Sequence, residues 1–128
     1  MSFLEGQSTV LLTSATPYLY SQLIQYLTTK SLLTNEDVLT RSLTGLVVPV
    51  VTFGHGPRVV IVVGRVHPGE SNSSWVVHGL MNFLQQGHPQ LKELLTFKIV
   101  PMINPDGVIS GNYRTSIIGK DLNRLYLP

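Results

Sequence analysis

The sequence predicts an α/β fold in which a partial mixed or parallel sheet is flanked by helices. Two observations carry that expectation. Val59-Val60-Ile61-Val62-Val63 is an unbroken β-branched run, the pattern of a strand buried on both faces. A helical pattern and then a second strand-like run, residues 97–102, follow it. Strand, helix, strand makes a right-handed βαβ unit. Sheets of this kind bind ligands at the carboxyl ends of their strands.

The elements follow in order. Residues 1–15 read as a strand or a connector. From Pro17 the pattern turns helical, with Tyr20, Leu23, Ile24 and Leu27 on one face. Thr34-Asn35-Glu36-Asp37 is polar and reads as a loop. Residues 38–43 and 46–53 flank Thr44-Gly45 and suggest a hairpin. Pro49 lies inside the second run and places that strand at an edge or a bulge. After the Gly54-His55-Gly56-Pro57 turn and the β-branched run, the strand ends at Gly64. His67-Pro68-Gly69-Glu70 cannot extend it. A helix then begins with Ser71, Asn72 or Ser73 as N-cap. Val76, Leu80, Phe83 and Leu84 are its expected buried stripe, and Gly87-His88-Pro89 ends it. A short amphipathic turn (Leu91, Leu94, Leu95) precedes the second strand. Asn104-Pro105-Asp106-Gly107 signals a turn, and residues 108–128 read as an extended loop.

Composition narrows the function. At 128 residues the chain suits one domain, and its 43% apolar and 12% charged content suits a buried core. A net charge of +2 from scattered Lys and Arg argues against nucleic acid. With no Cys, a metal here must use His and carboxylates. No apolar run approaches the ~20 residues that span a bilayer. Met1-Ser-Phe-Leu-Glu-Gly6 lacks the basic and apolar regions of a signal peptide, so a soluble cytoplasmic protein is expected.

Two clusters fall at the strand ends. In His67-x-x-Glu70, a Pro-Gly bend lets residues three apart point to one side, and imidazole nitrogen with carboxylate oxygen suits zinc. The same four residues also serve as an ordinary polar turn. Arg114 and the segment Asp121-Leu122-Asn123-Arg124 place two guanidinium groups in a Gly-rich loop. They read either as a carboxylate clamp or as solvated charges.

Three ordered blocks carry a resemblance. Gly64-Arg65-Val66-His67-Pro68-Gly69-Glu70-Ser71-Asn72-Ser73-Ser74-Trp75 is similar to the signature of the zinc metallocarboxypeptidases, in their cytosolic, tubulin-deglutamylase branch. Pro101-Met102-Ile103-Asn104-Pro105-Asp106-Gly107-Val108-Ile109 with Gly111-Asn112-Tyr113-Arg114, and then Gly119-Lys120-Asp121-Leu122-Asn123-Arg124, resemble its next two blocks. Pro17-Tyr18-Leu19-Tyr20-Ser21 resembles the domain's start. The resemblance implies that residues 16–128 form the amino-terminal part of the catalytic domain, with 1–15 a connector or the remnant of an upstream domain. It implies a zinc hydrolase that removes C-terminal, acidic residues from protein tails, tubulin among them. His67 and Glu70 would be zinc ligands, Arg114 would steady the oxyanion, and Asn123 and Arg124 would grip the terminal carboxylate.

The family's third ligand, a downstream His, and its general-base Glu have no counterpart in this sequence. His55 precedes the β-branched run, and His78 lies ~12 Å along a helix leading away from Glu70. The chain alone is therefore expected to bind zinc weakly, to lack activity, and to self-associate through uncovered strands. An amidohydrolase of the aspartoacylase and succinylglutamate-desuccinylase type shares the His-x-x-Glu pair and an Asp-Leu-Asn-Arg block. A non-catalytic carboxylate binder is the third reading.

Overall fold

The computed structural model describes residues 12–34 and 37–126. Much of the 1–15 segment, whether connector or strand, therefore lies outside the described residues. Helix α1 (Tyr20–Thr29) buries Leu23 and Leu27, the face its spacing predicts. Strands β1 (Val38–Arg41) and β2 (Val47–Pro49) form an antiparallel pair around Ser42–Leu46. The expected second hairpin strand is divided. Pro49 has no N–H for the ladder, the β1 register slips opposite it, and Val50 N–H turns to the carbonyl of Asp37. The chain then resumes as β3 (Val51–Phe53), antiparallel to β5 (Leu95–Val100). One apolar run thus serves two sheets.

Strand β4 (Arg58–Val63) runs parallel to β5, from Arg58 opposite Leu95 to Val63 opposite Val100, in the order β3-β5-β4. The crossover carries α2 (Ser71–Gln85) and α3 (Pro89–Leu94). The expected βαβ unit is present. Strand β5 starts two residues earlier than the apolar pattern suggests. It stops at Val100 because Pro101 donates no ladder bond.

Burial on both faces does not hold for β4. It is an edge strand, and Val59, Ile61 and Val63 are 60%, 70% and 43% exposed. Only Val60 and Val62 are half-buried on the opposite face, with Val62 packed on the core. β5 is the central strand and has neighbours on both sides, contrary to the expectation that it too lacks them.

The α2 stripe is rotated from its expected phase: Val77, Met81 and Leu84 are buried, whereas Val76 is 71% and Phe83 46% exposed. The reason is at the helix's first turn. Ser71 and Ser74 are buried there, Ser74 accepting from Arg65 of the preceding bend, and the apolar residues fall into line behind them. Glu70 is the N-cap and makes no side-chain cap bond, so none of Ser71, Asn72 or Ser73 caps the helix. The core joins Leu23 and Leu27 to Val51, Phe53, Ile99, Met102, Tyr18 and the α2 face.

Residues 104–107 are more than a turn. Asn104 caps a short helix α4 (Pro105–Ile109), accepting from Gly107 N–H, with Pro at its first position. The expected loop from 108 onward completes α4 and later winds a single 3-10 turn, Leu122–Arg124.

Candidate metal centre

β4 and β5 end side by side, and that ending builds the site. Gly64 N–H donates to Val100 O (2.8 Å) and Ile103 N–H to Gly64 O (3.1 Å). A Cβ on Gly64 would lie 2.6 Å from Pro101 O, so only glycine lets the two segments meet there. The chain then bends back through residues 65–70. Glu70 N–H bonds His67 O at 3.2 Å, and Ser71 N–H bonds Gly69 O at 3.1 Å.

Two further loops close on this bend. Gly69 N–H donates to Tyr113 O at 2.7 Å, and Asn104 Nδ2 donates to Val66 O at 3.2 Å. Gly107 packs under Pro68, where any Cβ would overlap. Asp106 is buried on α4 and accepts from Ser42 Oγ (2.6 Å), Thr44 N–H (3.3 Å) and Thr44 Oγ1 (2.5 Å), so the β1–β2 connection is pinned to the same face. Burial would raise its pKa, but the bonds from Ser42 and Thr44 outweigh this and hold it below the usual carboxylate value.

His67 and Glu70 converge as their spacing predicts: His67 Nδ1 lies 3.0 Å from Glu70 Oε1. The other ring nitrogen, Nε2, lies 3.1 Å from Asp121 Oδ1. Asp121 is the site residue that pattern reading left without a role. Its second oxygen accepts from Arg114 Nε at 2.9 Å, and Oδ1 also accepts from Asn123 N–H at 2.9 Å. Burial alone would raise its pKa; the Asn123 N–H, Arg114 and His67 lower it on balance. One carboxylate therefore orients the imidazole and draws Arg114 to the His67–Glu70 pair. The Asp-x-Asn turn, in which Asp121 caps its own 3-10 turn, was the signal available in the sequence.

Asn123 and Arg124 are less integrated. Both are exposed; Asn123 reaches the cluster through its backbone, and Arg124 Nη1 donates to Asn123 O at 3.2 Å.

A divalent cation fits the donor set. A neutral imidazole has one N–H and here faces two carboxylates. In the tautomer that donates Nε2–H to Asp121, Nδ1 and Glu70 Oε1 would face each other as two acceptors. A cation between them removes the conflict, and their separation is close to the ~3.3 Å between neighbouring ligands of a tetrahedral zinc at ~2 Å. A carboxylate on the far nitrogen of a ligating histidine is the usual support for such a ligand.

Beyond Asp121, which meets the far ring nitrogen, no third histidine or acidic residue joins the pair among the described residues. His78 Nδ1 shares a hydrogen bond with Tyr18 Oη (2.9 Å), whose pKa is pushed up to about 12, first by burial and then by Tyr26, so the phenol keeps its proton. The His78 ring also lies 3.9 Å from that of Tyr26. His88 stacks on Phe83 at 4.0 Å, and His55 sits in the turn before β4 with its N–H on Lys92 O.

With this geometry in place, comparison with known proteins is direct. The family model for zinc carboxypeptidase matches residues 19–127. Cytosolic carboxypeptidase 2 of Danio rerio is 42% identical over 128 residues, covering 86% of this chain and 18% of that protein. The metallo-carboxypeptidase of Burkholderia cenocepacia superposes with a TM-score of 0.76 at 30% identity, covering 86% of this chain and 33% of its own. An aspartoacylase family protein from Mesorhizobium loti superposes less well, with a TM-score of 0.54 at 28% identity over 70% of this chain and 28% of its own. The chain belongs to the zinc carboxypeptidase family, a family that uses Zn2+. It spans under one fifth of the length of the Danio rerio relative.

Proposed function

We propose that this chain supplies one half of a zinc carboxypeptidase site, acting on the C-terminal ends of peptides or protein tails with an acidic last residue. The observation that carries the reading is the His67 ring, held by Asp121 so that Nδ1 faces Glu70 at 3.0 Å.

His67 and Glu70 hold the zinc, which when bound supplies a Lewis acid to the scissile carbonyl. Arg114, drawn beside the pair by Asp121, offers guanidinium donors where charge develops on that oxygen. Asn123 and Arg124 lie in solvent on the adjoining turn and present an amide and a guanidinium to a terminal carboxylate. The third ligand and the general base are supplied from outside the described residues, so the chain alone binds zinc weakly and does not turn over. The apolar edge of β4 drives self-association when it stands uncovered.

Preference for glutamate tails such as those of tubulin, and a cytoplasmic setting, follow from the likeness to the cytosolic branch. The amidohydrolase reading is supported by a shorter and poorer superposition than the carboxypeptidase one.

The test uses the chain extended through the downstream half of the family domain, offered polyglutamyl peptides and N-acyl amino acids. Release of C-terminal glutamate is expected, with Arg114→Ala lowering kcat by roughly 10²–10³. Turnover of the N-acyl amino acids alone would replace this reading with the amidohydrolase one.

A further inference from the structure

Arg65 is 6% exposed, and among the described residues it makes no ion pair. A buried cation without a carboxylate is costly, so the partners it has indicate why it is there. Its Nε donates to Pro68 O at 2.8 Å, midway between His67 and Glu70. Its Nη1 donates to Tyr18 O at 2.9 Å and to Ser74 Oγ at 3.0 Å, which anchors the guanidinium to the lead-in of α1 and the first turn of α2. Its backbone N–H donates to Ser73 Oγ at 3.0 Å, and that hydroxyl donates to Glu70 O at 2.9 Å. The bend is thus bridged twice, once through Pro68 and once through Glu70, and both bridges start at Arg65. Arg65 also holds a left-handed φ of 54°, where a non-glycine residue is strained and persists only if its surroundings fix it.

We propose that Arg65 is a positioning residue for the zinc site: its guanidinium and N–H set the shape of the 65–70 bend and so fix the approach of His67 Nδ1 to Glu70 Oε1. This rests on the metal reading of that pair. A guanidinium suits the task because its planar fork reaches acceptors on three segments at once, which an ammonium on a flexible stem does not. An apolar residue of equal length would fill the space but leave the Pro68 and Tyr18 carbonyls unpaired.

The test is a Zn2+ titration of the chain, followed through the ring signals of His67 by NMR, with thermal melting of the same samples. Arg65→Met and Arg65→Lys are compared with Leu23→Ala, a core truncation that destabilises without touching the bend. Loss of an outer partner of a metal ligand typically weakens metal binding 10- to 100-fold. Arg65→Met is expected to weaken zinc binding at His67 by about tenfold or more, Arg65→Lys by less, and Leu23→Ala not at all. Should Arg65→Met fail to fold, a folded Arg65→Lys with weakened binding still supports the proposal. Wild-type affinity in either folded Arg65 variant overturns it, as does equal weakening in Leu23→Ala. If the wild-type His67 signals ignore Zn2+ even at millimolar concentrations, where a weak two-ligand site would still fill, the metal reading itself fails and takes this proposal with it.

Discussion

Replacing Gly69 by alanine would put a methyl group where the bend and the 112–115 loop touch. The new Cβ would lie 2.5 Å from Tyr113 Cδ2, 2.8 Å from Tyr113 O and 3.1 Å from Tyr113 Cα. The tyrosine ring is exposed and swings aside at little cost. The backbone oxygen and Cα do not, because Tyr113 O accepts the Gly69 N–H at 2.7 Å. Relief therefore requires the loop to retreat by roughly half an ångström or more, which weakens that bond. Overpacking of this kind costs typically 1–3 kcal/mol, and a lost neutral hydrogen bond about 1 kcal/mol more. A loss of about 2–4 kcal/mol is expected, or some 5–15 °C in Tm for a domain of this size.

The functional consequence follows the same backbone. Arg114 is the next residue, and its Nε meets Asp121 at 2.9 Å, so a retreat of Tyr113 draws the guanidinium from the ligand pair. Thermal melting and Zn2+ calorimetry of Gly69→Ala, Tyr113→Ala and the double variant separate the causes. Backbone crowding predicts that Tyr113→Ala does not rescue Gly69→Ala. A Gly69→Ala chain that melts within 1 °C of the parent, or full rescue by Tyr113→Ala, would refute the reasoning.

Other variants probe the neighbouring contacts. Asp121→Asn cannot hold the imidazole and Arg114 together as a charged acceptor, and zinc affinity measured by chelator competition should fall about 10- to 100-fold. Asp106→Asn should destabilise the fold by about 2–4 kcal/mol near pH 7, because it loses charge-assisted bonds from Ser42 and Thr44. The Asp106 pKa is depressed in the folded state, so its contribution is present above the unfolded value and is lost as pH falls through the folded one. Urea melts should therefore show the gap between parent and Asp106→Asn closing below about pH 4, and a gap that widens in acid would contradict this. Ile61→Lys, placed at the most exposed apolar β4 position, should shift sedimentation toward monomer; a parent chain that is already monodisperse and monomeric would count against an adhesive edge.

What was legible in the sequence was what neighbouring residues decide. The α1 face, the break at Pro49, the βαβ order and the convergence of His67 with Glu70 each follow from spacing within one segment. The misread features need knowledge of what packs against a segment. The β-branched run of β4 carries the composition of a covered strand, yet its outer face is largely exposed among the described residues, since composition reports how a strand can be buried and not which neighbours are present. The stripe on α2 has helical period, but Ser71 and Ser74 take the inward positions of its first turn, and Ser74 does so to meet an arginine nine residues earlier.

The same reasoning accounts for the roles of Asp121 and Arg65 that pattern reading missed. The pairing of Asp121 with His67 spans 54 residues, and that of Arg65 with Tyr18 spans 47. No local pattern marks either partner. Yet these contacts fix the His67 ring and the bend that carries it, with His67 Nδ1 left 3.0 Å from Glu70 Oε1. The candidate residues His67 and Glu70 were legible because metal chemistry restricts which side chains can serve. The residues that aim them were not, because any donor or acceptor of the right reach can do that work, and only the fold determines which one is within reach.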